Sequence, residues 1–215
     1  MSRQPYPIAR EAFPYLLVLG LATLAVWWFN PVLAFIPLFL FLFVAFFFRN
    51  PKRIIPPQEE LIVSPADGRV MEVEPIEHDD FIGGKAKRVT IFLSVFNVHL
   101  NRCPIHGEVV YRHYQPGKML AAYKKEAREE NERNYVGIEN PRLRVMVIQI
   151  TGLIARTIVS WVNIGDKVER GEQFGLIKLG SCTEILVPDT VDISVAVGDK
   201  VIGGETIIGR LKDEF

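Results

Sequence analysis

Three residues in this chain have the makings of an acyl-transfer centre: a serine behind a glycine at Gly180-Ser181, a histidine at His99 and an aspartate at Asp67. A serine hydroxyl is a poor nucleophile at neutral pH, so it needs a base to take its proton and a further group to orient that base. Gly180 has no side chain to shield its own carbonyl and tolerates strained backbone angles. A Gly-Ser bond in a tight turn is therefore one that its own serine can cut. His99 lies in Phe96-Asn97-Val98-His99-Leu100-Asn101-Arg102-Cys103-Pro104, after a strand-like run and before a proline, where a strand passes into a loop. Asp67, in a Pro-Ala-Asp-Gly turn, is the candidate to orient that base. Each has a plain alternative. Asp-Gly marks turns anywhere, Gly-Ser is a common loop pair, and a histidine near a strand end is often only a polar rim residue.

Other chemistries find little support. His78, His99, His106 and His113 show no HxxxH or HExxH spacing, and Cys103 and Cys182 form no metal-like pair, so no metal is expected. Two cysteines make no secreted disulfide framework, which favours a reduced, cytoplasm-facing catalytic domain. With 25 basic and 25 acidic residues, no global charge points to nucleic acid.

What must hold these residues begins at a membrane. Phe13–Phe29 and Val32–Phe48 are uncharged 17-residue stretches separated by Asn30-Pro31. Proline lacks an N–H and disfavours helical geometry in the residue before it, so two helices are expected rather than one rod. Arg3 and Arg10 precede the pair and Arg49, Lys52 and Arg53 follow it. Positive flanks on the cytoplasmic side make residues 13–48 a hairpin behind a cytoplasmic tail, 1–12. Full crossing and a shallow hairpin both fit the lengths. A removable signal peptide fits poorly, since no small-residue cleavage site follows.

After the linker Ile54–Glu60, the pattern is of short strands rich in β-branched residues: Leu61–Val63, Gly68–Val73, Arg88–Ser94, Gly107–Tyr111, Arg142–Ile150 and Thr157–Val162. Lys118–Arg133, apolar at the front and charged behind, reads as a solvated helix or loop. Gly165-Asp166-Lys167-Val168-Glu169-Arg170-Gly171-Glu172 recurs as Gly198-Asp199-Lys200-Val201-Ile202-Gly203-Gly204-Glu205, and Gly175 and Gly209 close each unit. Such turn-then-strand units look like halves of a biotinyl/lipoyl-type barrel. Ser64–Val70 reads as a third, looser copy. The expected fold is mainly β with minor α, built of barrel hairpins behind the membrane hairpin.

An ordered set of motifs carries a resemblance: Phe47-Phe48-Arg49-Asn50-Pro51, Ser64-Pro65-Ala66-Asp67-Gly68, Asn97-Val98-His99-Leu100-Asn101-Arg102, Pro116-Gly117-Lys118, Glu130-Asn131-Glu132-Arg133-Asn134, Gly152-Leu153-Ile154-Ala155-Arg156, and Phe174-Gly175 leading to Leu179-Gly180-Ser181. Over residues 47–215 the chain resembles the phosphatidylserine decarboxylase family in its shorter form. The resemblance implies that Ser181, deprotonated by His99 with Asp67 behind it, attacks the Gly180 carbonyl. Cleavage then divides the catalytic domain, 49–215, leaving 1–180 and 181–215 as two subunits, with Ser181 converted to a pyruvoyl group and no metal. That group would form a Schiff base with the lipid's serine amine, accept the electrons released with carbon dioxide and yield phosphatidylethanolamine. Implied partners are a phospholipid, the membrane, the heterodimer of the two pieces and a higher homo-oligomer.

Two departures stand out. Longer members carry HxxH where this chain has His99 and Arg102, leaving His106 and His113 as the nearest spare histidines. Short relatives often have a basic residue after the serine and aspartate in Phe-Phe-Arg-Asp-Pro, where Cys182 and Asn50 stand here. Other readings are a membrane-tethered lipoyl-like carrier or adaptor, with Lys167 or Lys200 at a hairpin tip, and a serine hydrolase, which the missing GxSxG elbow disfavours. An archaetidylserine substrate fits the same headgroup chemistry.

Overall fold

The computed structural model describes residues 6–118, 120, 130–152, 157–178 and 181–212. It divides into two compact units, with the boundary between Lys52 and Arg53.

In the N-terminal unit a short 3-10 turn, Arg10–Ala12, leads into α1 (Phe13–Phe29), and α2 (Phe35–Phe47) packs against it. The break falls at Asn30-Pro31. Asn30 Oδ1 accepts the N–H groups of Val32 (3.0 Å) and Leu33 (3.3 Å), satisfying donors that a helix start would otherwise leave bare. The two ends of the pair are tied together: Ala9 N–H bonds the Phe48 carbonyl at 2.9 Å, and Asn50 N–H bonds that of Pro7 at 2.7 Å. Asn50 also donates its side-chain amide to the Tyr6 carbonyl (3.0 Å). The stretch Arg10–Phe29, with mean hydropathy 1.8, is long and apolar enough to cross a membrane; α2 is shorter.

The second unit is β. Its strands are β1 (Leu61–Val63), β2 (Gly68–Asp79), β3 (Gly84–Leu93), β4 (Leu100–Arg102), β5 (Gly107–Gln115), β6 (Arg133–Glu139), β7 (Arg144–Ile150), β8 (Ile158–Ser160), β9 (Lys167–Val168), β10 (Gln173–Ile177), β11 (Ser181–Pro188), β12 (Val191–Ile193), β13 (Lys200–Val201) and β14 (Ile207–Leu211). An eight-stranded sheet runs β13-β2-β3-β11-β7-β6-β5-β9, beside two three-stranded sheets, β1-β14-β12 and β4-β10-β8. Alternation sorts the side chains. Val89, Ile91, Val136, Ile138, Val145, Val147, Ile185 and Val187 fill the main core, while Met146, Ile148, Ile150, Cys182 and Leu186 form a second cluster on the opposite face.

The stretch Lys118–Arg133, expected as a solvated helix or loop, is helical at Glu130, while its two ends join β structure. Lys118 bridges Asn131 and Arg133 opens β6, because Gly117 lets the two segments meet. A Cβ there would lie 2.3 Å from the Asn131 backbone. Residues 119 and 121–129 of that stretch lie outside the described residues.

The repeated octapeptides adopt one geometry. Gly165 and Gly198 both have positive φ, and the following Asp166 and Asp199 side chains accept the N–H three residues back, at 3.0 and 2.8 Å. The echo extends further. Val109 N–H bonds the Asp166 carbonyl and Val70 N–H bonds that of Asp199, both at 2.9 Å. Gly107 pairs with Val168 as Gly68 pairs with Val201. The segment Ser64–Val70 therefore corresponds to Cys103–Val109 rather than forming a third copy of the octapeptide. One unit runs through β4–β10. The other is split, with β1–β3 before it and β11–β14 after it.

Candidate functional site

Ser181 is the first residue of β11, with β3 on one side and β7 on the other. It pairs with Leu93 at the end of β3 and shares parity with Thr183, Ile185 and Val187, which places it on the interior face. Its hydroxyl is buried and has no hydrogen-bond partner among the described residues. An unpaired buried hydroxyl costs about 1–3 kcal/mol, so native proteins retain few of them. Leu179 and Gly180 lie outside the described residues.

The chain leaving Leu93 turns back through Ser94–Val98. Asn97 Oδ1 accepts both the N–H (2.9 Å) and the hydroxyl (2.8 Å) of Ser94, closing that turn. His99, 2% exposed, follows it. Its Nδ1 lies 3.0 Å from the Asn97 carbonyl. A carbonyl only accepts, so Nδ1 carries the proton and Nε2 is the basic nitrogen. The His99 carbonyl accepts the Ile177 N–H (3.2 Å) in β10, four residues before Ser181. The Leu93–Ser181 pairing and the His99–Ile177 bond thus bring both segments to one end of the sheet.

Asp67 is held elsewhere. Arg53 Nη2 donates to both carboxylate oxygens (2.9 and 2.8 Å), and Gly203 N–H donates to Oδ1 at 2.8 Å. Among the described residues no hydrogen bond joins Asp67 to His99. The carboxylate instead anchors the turn whose Pro65 carbonyl takes the Arg102 N–H (2.9 Å) and the Asn101 side-chain amide (3.4 Å) in β4. Arg102 is buried and donates to the Gly171 carbonyl (2.8 Å). Burial, and then neighbouring Arg53, lower its pKa to about 10, with Asp67 and Glu205 acting in the opposite direction.

A buried polar row lies one layer beneath Ser181, and the sequence reading missed it. Thr183 and Gln149 are cross-strand partners, as are Gln149 and Asn134. Asn134 Nδ2 donates to Gln149 Oε1 (2.8 Å), Gln149 Nε2 to Asn101 Oδ1 (2.8 Å), and Asn101 Nδ2 to Thr183 Oγ (3.0 Å). The signal available was Gln149 itself, a polar residue at an interior-facing position in the otherwise apolar run Val145–Ile150. Asn131, in the same motif as Asn134, bonds the carbonyls of Leu120 and Thr151, both at 2.8 Å.

The remaining candidates stand apart. His106 lines a cavity of about 410 Å³ with Ile55, Pro56, Glu169 and Arg170. His113 packs against Tyr135, and Cys182 is buried in the second apolar cluster. Lys167 and Lys200 sit in β9 and β13, the two edge strands of the eight-stranded sheet, paired with β5 and β2 respectively. No group of three or more potential metal ligands occurs among the described residues.

Comparison with known proteins gives a consistent answer. Residues 40–209 match the profile of the phosphatidylserine decarboxylase family. A protein named phosphatidylserine decarboxylase proenzyme from Carboxydothermus hydrogenoformans is 50% identical over 98% of this chain and 99% of its own length. One of the same name from Symbiobacterium thermophilum is 50% identical over 95% of each chain, and another from Geobacter sulfurreducens is 43% identical over 98% and 100%. With a profile and end-to-end relatives in agreement, the chain belongs to the phosphatidylserine decarboxylase family.

Proposed function

We propose that the chain decarboxylates phosphatidylserine to phosphatidylethanolamine, using a pyruvoyl group made from its own Ser181. The observation that carries this reading is the buried Ser181 hydroxyl at the head of β11, unpartnered among the described residues and next to the segment bearing His99.

His99 Nε2 takes the hydroxyl proton and Ser181 Oγ attacks the carbonyl carbon of residue 180. The acyl group moves from nitrogen to oxygen, giving an ester and freeing the Ser181 amine. Loss of the Ser181 α-proton then expels the carboxylate of Gly180, which cuts the chain into 1–180 and 181–215. The enamine left on the second piece becomes an imine, and water hydrolyses it to a ketone with release of ammonia. The position suits that sequence of steps: the interior end of β11 is screened from solvent, and the hydroxyl that must attack has no competing hydrogen bond among the described residues.

When formed, the ketone supplies an electrophile for the substrate's primary amine and a sink for the electron pair released with carbon dioxide. His99 remains beside it as an acid for the carbon that loses carboxylate. Asp67 acts as the orienting carboxylate through the backbone: with Arg53 and Gly203 it fixes the turn, and the turn's Pro65 carbonyl fixes β4, which continues from His99. The apolar N-terminal helix holds the enzyme at the bilayer where its lipid resides, and the basic residues Arg10, Arg49 and Lys52 favour a cytoplasmic active site.

Intact-mass measurement tests the reading. The purified protein should give two fragments, the smaller beginning at residue 181 with a keto-acyl end, and Ser181→Ala should give one uncut chain. A single uncut wild-type chain that still releases carbon dioxide would overturn it.

A further inference from the structure

The base and the nucleophile belong to different sheets. His99 precedes β4, in the sheet β4-β10-β8, whereas Ser181 opens β11 in the eight-stranded sheet, and no strand ladder joins β4 to β11. Asn101 makes two side-chain bonds that span that gap: it donates to Thr183 (3.0 Å) and accepts from Gln149 (2.8 Å).

The direction of these bonds is set by one backbone group. The Pro65 carbonyl can only accept, so the Asn101 amide nitrogen faces Pro65 and Thr183 while its oxygen faces Gln149. Gln149 must then donate to Asn101 and accept from Asn134. Asn101, Asn134, Gln149 and Thr183 are each no more than 1% exposed, so water does not compete for these bonds. Space is made for them as well. A Cβ on Gly175 would lie 3.0 Å from Gln149 Nε2.

We propose that Thr183 is a positioning residue for both reactions at Ser181: its hydroxyl, gripped by an Asn101 amide that Gln149 and Asn134 orient, sets the spacing between His99 and position 181. The inference rests on the function proposed above. It gives the row its greatest weight after cleavage, when no peptide bond links the end of β10 to β11.

The test uses the full-length protein in detergent micelles with phosphatidylserine. Thr183→Val keeps the shape and removes the hydroxyl; Thr183→Ser keeps the hydroxyl and removes a methyl. For Thr183→Val, self-cleavage on a denaturing gel should slow about tenfold, and kcat per cleaved molecule should fall about tenfold with KM little changed, the scale expected of a displaced reacting group. Thr183→Ser should stay within about twofold of wild type on both measures despite its weaker packing. Gln149→Met, which leaves Thr183 in place, should show the same kcat-selective loss and serves where Thr183→Val does not fold. A folded Thr183→Val or Gln149→Met at wild-type speed overturns the proposal, and so does Thr183→Ser as slow as Thr183→Val, because packing alone would then matter. Cleavage of Ser181→Ala would instead defeat the underlying reading, so the two failures are distinct.

Discussion

Arg53 grips Asp67 through a single nitrogen, Nη2, which lies 2.9 Å from one carboxylate oxygen and 2.8 Å from the other. Both side chains are largely buried, at 9% and 14% exposure, so the pair has little water to fall back on. Arg53→Met should therefore cost about 3 kcal/mol, since an uncompensated carboxylate stays behind. Asp67→Asn should cost less, and the double variant less than the sum, with a coupling of about 1–3 kcal/mol. Denaturant melts of the four proteins in one detergent check this; simple additivity would mean that the pair contributes nothing as a pair.

His99 is the second target. His99→Gln removes the base proposed for the Ser181 hydroxyl, so chain cleavage should slow by about a hundredfold or more. A time course of uncut chain on denaturing gels measures it. Cleavage at the normal rate would show that another group serves as the base.

Arg102 offers a pH signature. Its value of about 10 is set by burial and then by Arg53, against Asp67 and Glu205. A lysine in the same surroundings, lowered by a similar amount, would titrate at about 8. That lies below the unfolded lysine value of about 10.4, so the unfolded chain binds more protons across the interval and stability rises with pH through it. The penalty is full below about pH 8 and fades towards about pH 10.4. The melting temperature of Arg102→Lys, relative to wild type, should climb over that window. A flat difference would place the introduced ammonium in contact with solvent.

Gly175 is confined by its neighbours rather than by its dihedral angles. A Cβ there would fall 2.4 Å from the Val159 carbonyl, in the adjacent strand β8, so two paired backbones would have to move apart. Gly175→Ala should cost about 1–3 kcal/mol. The same melts measure this; a neutral result would show that β8 and β10 can part.

The sequence was readable where chemistry and periodicity coincided. Leu61–Val63 emerged as β1 with its expected ends, and the Gly-Asp repeat announced two matching turns. Strands β9 and β13, two residues each, lie below the length at which alternation is visible. β4 was missed for a different reason: Leu100-Asn101-Arg102 is two-thirds polar, because two of its side chains serve buried networks rather than the apolar core. The Asp67–Arg53 pair joins residues whose types gave no sign of partnership, and pairing of that kind is set by tertiary approach. The polar row came from the same blind spot, since Asn101, Asn134 and Gln149 look like surface residues when read one at a time.

The divided repeat has a mechanical consequence. Because β11 is clasped by β3 and β7, while β13 lies on β2 and β14 on β1, the residues beyond the proposed scission point are woven into those before it. Breaking one peptide bond there unzips no ladder. The short piece should behave as a permanent inlay, neither exchanging between molecules nor washing away until the surrounding sheet itself is melted.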